Sequence, residues 1–337
     1  MSEGGVGILG TGSYLPERVV TNAELATLVR GADPDWAVRK TLIEARRFAA
    51  DHEATSDLAI QAAGNALANA RITADRIDYL IVATSTGDSP QPPTSSLVQN
   101  AIGATRAACF DINVVCAGFV FALELARSLI VANPGSVVLV VGADVYSRIL
   151  DFDDRRTSVL FGDGAGAAVL GAVPAPYGML DTELVSRGDA HKLIYVEAGG
   201  SRRPASPETV ADGGHWFRMD GRGVRDFVLE GVPPILADLL KRADMTAEDV
   251  QHFVPHQANG MMIRELVAAA GLSDAQTHLV LDRYGNTGSA SIPIALDEAA
   301  RAGAFADGEV LLLAGFGGGM AVGATLIRWA DSLDRAR

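Results

Sequence analysis

The chain has 337 residues, with 28 Lys and Arg against 41 Asp and Glu, a formal net charge of −13. That balance argues against nonspecific nucleic-acid binding, because phosphates repel an acidic surface. With 48% apolar residues, 36 Gly and 20% charged residues, the composition excludes a disordered chain, and the length suits one large domain or two halves of about 170 residues.

Taken in order, the N-terminus Met1-Ser-Glu-Gly-Gly-Val-Gly-Ile-Leu-Gly puts an acid where a secretory signal carries its basic region, so no signal peptide and a cytoplasmic location are expected. Ala62 to Ala68 reads as a flanking helix. Tyr79–Ala83 and Val137–Val141 are short apolar runs without alternation, as expected of strands buried on both faces. Between them Cys109-Phe-Asp-Ile112 is strand-like, and an apolar helix begins at Cys116. Gly162-Asp-Gly-Ala-Gly166 superficially resembles a dinucleotide loop. The strand-like Ala167-Ala-Val-Leu170 follows it where a helix is required, so NAD binding is rejected. No Walker-A sequence occurs, and two cysteines and scattered histidines offer no disulfide framework and no metal-ligand spacing. Val232 to Leu240 reads as a second flanking helix. The uncharged stretch Val310 to Ile327 is long enough to span a membrane, but Gly315, Gly317, Gly318, Gly319 and Gly323 interrupt it; it reads as strand, turn, strand, and no membrane association is expected.

The chain repeats itself. Thr73-Ala-Asp-Arg-Ile-Asp-Tyr-Leu-Ile-Val returns as Thr246-Ala-Glu-Asp-Val-Gln-His-Phe-Val-Pro, 173 residues later. Cys116-Ala-Gly-Phe-Val-Phe-Ala-Leu-Glu overlies Ser289-Ala-Ser-Ile-Pro-Ile-Ala-Leu-Asp, and Val137-Val-Leu-Val-Val-Gly overlies Val310-Leu-Leu-Leu-Ala-Gly, at the same offset. Gly166-Ala-Ala-Val-Leu matches Gly323-Ala-Thr-Leu-Ile only 157 residues on, which places a 16-residue insertion in the first half around Val145–Ser158. Two α/β halves, 1–172 and 173–337, are expected to stack with their central helices together and the site at their junction.

Cys116 starts a helix, where the positive end of the macrodipole favours a thiolate. Taken alone, such a cysteine is more often a small buried hydrophobe, and Cys109 is read that way. His256, in Val254-Pro-His-Gln-Ala-Asn259, ends a repeated strand where the first half has Ala83. Asn286, in Gly285-Asn-Thr287, has Asn113 as its counterpart, three residues before Cys116. Singly, these read as a hydrogen-bonded His and a capping Asn. Gly317-Gly-Gly319 after a strand lets backbone N–H groups approach a ligand, as an oxyanion hole requires.

Together, Cys116-Ala-Gly-Phe, Phe161-Gly-Asp-Gly-Ala-Gly-Ala-Ala, Val254-Pro-His-Gln-Ala-Asn, Gly285-Asn-Thr and Phe316-Gly-Gly-Gly resemble the β-ketoacyl-ACP synthase III family of the thiolase superfamily, over nearly the whole chain. The resemblance implies an α/β thiolase fold in five layers, α-β-α-β-α, a homodimer, and an acyltransferase with Cys116, His256 and Asn286 as catalytic triad. In that chemistry Cys116 attacks an acyl-CoA, with the oxyanion held by the backbone N–H groups of Cys116 and Gly318. His256 and Asn286 then hydrogen-bond the carbonyl of a malonyl thioester while CO2 leaves, and the carbanion attacks the acyl-Cys. No cofactor is implied beyond the CoA thioesters themselves. By the same match Trp36 stacks on the CoA adenine with Arg155 nearby, Lys40 replaces the usual Arg, Asn259 faces the pantetheine arm, and the turn around Gln91 borders the acyl pocket.

The departures carry information of their own. Thr41-Leu42-Ile43 replaces Thr-Gly-Ile, and Gly288 replaces a Ser; both are expected to reshape the CoA channel. Cations that dock acidic carrier protein in the family are missing: Met261, Asp226 and Ala268-Ala269 stand in their places, with Arg218, Arg222 and Arg225 as a possible substitute patch. The leading expectation is a ketosynthase priming a polyketide or other specialised pathway, taking acyl-CoA together with malonyl-CoA or a dedicated carrier protein. The alternative is acyl transfer from Cys116 to a hydroxyl, amine or carrier thiol without decarboxylation, against which Asn286 argues. A silent scaffold subunit is disfavoured by the intact triad.

Overall fold

The computed structural model describes residues 4–330; Met1–Glu3, where the signal-peptide reading begins, and 331–337 lie outside the described residues. From β1 (Gly5–Tyr14) the chain forms a ribbon of β2 (Arg18–Thr21) and β3 (Ala45–Phe48) bracketing α1 (Asn22–Leu28) and α2 (Pro34–Thr41). It continues through α3 (Thr55–Ala70), β4 (Tyr79–Ala83), α4 (Thr94–Ile102), β5 (Ala108–Ile112), α5 (Gly118–Ala132), β6 (Val138–Val145), α6 (Arg155–Ser158) and β7 (Asp163–Val173). The second half runs β8 (Gly178–Ser186), β9 (Ile194–Tyr195), α7 (Pro207–Ala211), β10 (Arg218–Met219), α8 (Gly221–Arg242), β11 (His252–Pro255), α9 (Gly260–Ala269), β12 (Gln276–Thr277), α10 (Leu281–Tyr284), α11 (Ser291–Arg301), β13 (Val310–Gly317) and β14 (Ala321–Arg328).

Two five-stranded mixed sheets result, ordered β1-β7-β6-β4-β5 and β8-β14-β13-β11-β12. The orders correspond strand for strand, with the last three strands parallel and the first two pairings antiparallel in each. The central strands β6 and β13 are buried along their whole length, which is why they read as apolar runs, broken in β6 only by Asp144. The first half's extra residues fall between β6 and β7, where the second half has only the turn Gly318–Met320.

Helices close the faces. On α3, Leu58, Ala59, Ala62, Ala63, Ala66 and Ala70 make a small-residue stripe at helical spacing that packs with α4 on one side of the first sheet. Val228, Val232, Leu236 and Leu239 of α8, with Met262 and Leu266 of α9, cover the outer side of the second. Between the sheets α5 and α11 share one core through Phe119, Leu123, Ala126, Ile292, Ala295 and Leu296. The layers are therefore α-β-α-β-α, as expected. The apolar run Val115–Ala132 is long enough to cross a membrane by composition, and half of it is buried as this central helix.

Candidate active site

Strand β5 hands the chain to a tight turn, Val115–Ala117, that runs directly into α5 and sets Cys116 at its start. Val115 adopts φ 47°, a region β-branched residues avoid, so about 1–3 kcal/mol of strain is held beside Cys116. Space for the sulfur is made opposite by Gly317, where a Cβ would lie 2.7 Å from Cys116 Cβ and 3.0 Å from its Sγ. The backbone N–H groups of Cys116 and Gly318, the two expected to line an oxyanion hole, each act to lower the thiol pKa. Burial outweighs them and pushes the thiol up to about 12, with the charge of Asp144 adding to the rise. The helix start alone thus does not leave a thiolate in the resting site, contrary to the macrodipole reading.

His256 leaves the end of β11 with its N–H on Ala314 O at 2.8 Å, and the buried Gln257 clamps the strand end to Pro255 O and His278 O. Burial holds the His256 ring neutral, its pKa lowered to about 3. Its Nδ1 lies 2.7 Å from Ser291 Oγ, which also accepts the Gln257 N–H. A serine O–H given to Nδ1 leaves the ring proton on Nε2, free to be donated. Asn286 is fixed by backbone bonds to Leu160 O and from Gly162 N, and its Oδ1 accepts the Gly288 N–H at 2.9 Å, so its Nδ2 is the end left to donate. Cys116, His256 and Asn286 all line one cavity of about 750 Å³, a thiol beside two neutral side chains with N–H groups to donate.

The cavity opens past Trp36, Arg39, Lys40, Arg156 and Arg222, a cationic mouth on an acidic protein that suits phosphates. The Arg155 guanidinium lies 5.2 Å over the Trp36 ring, outside the cavity wall. Asn259 lines the cavity but spends its side chain on structure: Oδ1 caps α9 at Met261 N and Met262 N, and Nδ2 holds Lys40 O at 3.1 Å. Gln91 is exposed on the loop before α4 and is not among the cavity residues. Leu42, at φ 61°, packs under the start of α9 against Gly260. Gly288 is buried at φ 59° behind the nucleophile, where a Cβ would collide with Asp144 Oδ2 and Tyr146; it shapes that wall and not the channel, correcting the expectation for this position.

Family models described as 3-oxoacyl-[acyl-carrier-protein] synthase III match residues 110–188 and, for its C-terminal part, 240–329. The chain is 50% identical over 324 residues to acetoacetyl CoA synthase NphT7 of Streptomyces sp. (strain CL190), covering 96% of this chain and 98% of that one. The chain belongs to the 3-oxoacyl-[acyl-carrier-protein] synthase III family. It is also 44% identical to the β-ketoacyl-[acyl-carrier-protein] synthase III of Symbiobacterium thermophilum, over 96% and 98% of the two chains. Among solved structures, the synthase III of Aquifex aeolicus superposes with a TM-score of 0.89 at 35% identity, covering 96% and 100%. The priming β-ketosynthase from the R1128 polyketide pathway gives 0.90 at 32%, covering 97% of each.

For a synthase III chain, several polar groups packed beside these residues escaped the sequence reading: Ser85, Asp144, Tyr146 and Ser291. Asp144 had a signal, as the single charge in the otherwise apolar β6. Ser291 had none, because its role depends on where β11 ends. Ser291→Ala is expected to lower the condensation rate about tenfold, the value of one hydrogen bond at ~1.4 kcal/mol, and to leave formation of the acyl-enzyme unchanged. Pre-steady-state kinetics separating the two half-reactions checks this.

Proposed function

We propose that this synthase III catalyses decarboxylative Claisen condensation of an acyl-CoA with malonyl-CoA, giving a short β-ketoacyl-CoA, and that it primes a specialised pathway. The observation carrying the reading is the single cavity that holds Cys116 together with two neutral donors, His256 and Asn286, and opens through a cationic mouth. A simple acyl transfer needs no second donor for an enolate. Both the acyl group and the carbanion come from thioester substrates. Trp36, Lys40 and Arg155 serve CoA in this reading, and Asn259 orders the Lys40 segment beside the pantetheine arm. Gln91, exposed on the loop before α4 and not among the residues of this cavity, carries no part of the reading. The halves 1–172 and 173–337 act as the two thiolase-like units, supported by the matching strand orders. A cytoplasmic homodimer fits the two free thiols and the edge strand β5, which carries half-buried Phe110 and Ile112.

CoA-linked malonate is favoured over a carrier by the face beside the mouth. The exposed positions of α9 are Met261, Arg264, Glu265, Ala268 and Ala269. Arg225 is ion-paired with Glu265 and lies 3.8 Å from Asp226, and Arg218 is held by Asp151 at 2.8 Å. Two of the three arginines of the expected substitute patch are thus already neutralised, which leaves an acidic carrier little to bind. The 50% identical acetoacetyl CoA synthase points the same way. Kinetics with malonyl-CoA and with a malonylated fatty-acid carrier, each at two ionic strengths, test this. Malonyl-CoA is expected to be used efficiently and the carrier weakly, with little salt dependence. Efficient, strongly salt-sensitive use of the carrier overturns it.

A further inference from the structure

The β2–β3 ribbon buries a cation that the condensation chemistry does not use. Among the described residues, Arg46 of β3 is the largest side chain that is wholly buried. Its Nη1 donates to Asn22 Oδ1 at 2.6 Å and reaches towards Val20 O at 3.4 Å, and its Nη2 donates to Val159 O at 2.8 Å. All three acceptors are neutral, and Nε has no hydrogen-bond partner. Burying a charge against neutral groups alone costs free energy that an apolar side chain of the same size would not. What it secures is geometry, because the planar guanidinium joins the ribbon to a segment 113 residues further along the chain.

That segment is the seat of Asn286. Val159, whose carbonyl Arg46 holds, is followed by Leu160, whose carbonyl accepts the Asn286 N–H at 2.8 Å, and Gly162 N donates to Asn286 O at 3.0 Å. Phe161 and Asn286 thus form a parallel bridge. The Arg46 stem packs against both sides of it. A Cβ on Gly162 would lie 2.9 Å from Arg46 Cβ and collide with Tyr284 O; a Cβ on Gly285, at φ 67°, would lie 2.7 Å from Leu160 O and 3.4 Å from Arg46 Cβ. The strips 46–47, 160–162 and 284–286 therefore pack at backbone distance, which the two glycines permit. Glu44 N donates to Asp282 O at 2.8 Å and ties the ribbon to α10, just ahead of Asn286. Cys116 is set by other elements, the turn after β5, the start of α5 and Gly317.

We propose that Arg46 is a positioning residue for the condensation step. Through Val159 O and its packed stem it fixes the strip that holds the Asn286 backbone. The Asn286 side chain is held by Gly288 N on Oδ1 at 2.9 Å, so the aim of Nδ2 follows the backbone that carries it. Loss of the brace lets that strip shift while the thiol keeps its place.

Arg46→Met removes the guanidinium and keeps most of the stem. Condensation by this variant is expected to fall on the order of 10²-fold, the cost of a misplaced group at a reacting centre, with acyl-enzyme formation at the wild-type rate. Combined with Asn286→Ala, Arg46→Met is expected to cost nothing further, because both act through one group, whereas a general structural defect would multiply the two losses. The inference rests on the condensation reading of Asn286, so one measurement is made without substrate. Hydrogen exchange in the peptides holding Asn286 and 160–162 is expected to speed up about tenfold in Arg46→Met, with the peptide around Cys116 unchanged. If Asn286→Ala condenses normally, the condensation reading fails and exchange alone decides the brace. Arg46→Lys keeps the charge without the fork and is expected to lose about tenfold in condensation, the worth of one hydrogen bond; it carries the same measurements if Arg46→Met does not fold. Unchanged exchange at Asn286, equal slowing of the two half-reactions, or losses that multiply with those of Asn286→Ala overturn the assignment.

Discussion

Cys116→Ala is expected to abolish acylation from acyl-CoA and to leave the fold intact. The side chain is 5% exposed and alanine keeps its Cβ, so the loss is one sulfur in a pocket already shaped around it by Gly317. A change of that size costs about 1 kcal/mol, small against the stability of a domain. No other nucleophile takes over. Cys109 lies on edge strand β5 with its sulfur 3.8 Å from Ser96 Oγ and is not among the cavity residues. Ser289, the counterpart of Cys116 in the repeat, has its hydroxyl oxygen 2.7 Å from Ala83 O and 2.8 Å from Asp144 Oδ2 and is held there. Mass spectrometry after incubation with acyl-CoA is expected to show the label on Cys116 in wild type and none in the variant, with an unchanged melting temperature. Label on Cys109, or turnover by the variant, sinks the assignment.

Asn286→Ala is expected to keep the acyl-enzyme and to suppress carbon–carbon bond formation, on the order of 10²–10³-fold, as is usual when one preorganised donor to a developing oxyanion is lost. In the proposed mechanism the two half-reactions separate, because the acylation oxyanion would rest on the Cys116 and Gly318 N–H groups and the malonyl enolate on Nε2–H of His256 and Nδ2–H of Asn286. His256→Ala is expected to behave alike. Its ring is already neutral well below physiological pH, so the loss is of a hydrogen-bond donor and is expected to be independent of pH above about 5. Release of CO2 from malonyl thioester, followed beside acyl loading, reads both steps. Full activity of Asn286→Ala with the native acceptor would favour acyl transfer without decarboxylation.

The split between these steps follows from the duplication. Pseudo-equivalent positions face each other across the junction with different chemistry: Cys116 opposite Gly317 in one place, Ser289 opposite Asp144 in the other. The first half supplies both the thiol and Asp144, and the second answers with Gly317, which leaves room at the sulfur, and with Ser289, whose hydroxyl meets the carboxyl.

Much of this was legible in the residue string, because repeats, strand runs and helix starts are local. The offset of 173 fixed two like halves, unalternated runs such as Tyr79–Ala83 marked sheets buried on both faces, and five short motifs in order pointed to the family and to Cys116, His256 and Asn286. Tertiary structure alone decided what each side chain has left to offer. Asn259 is spent on capping α9 and holding Lys40, Arg218 and Arg225 are spent on carboxylates, and Gly288 answers to Asp144 and Tyr146 and not to the channel. The state of the nucleophile belongs to the same class. A helix start predicts a lowered thiol pKa, but burial and a carboxylate brought in from β6 raise it, because desolvation and charge act through space between segments distant in sequence.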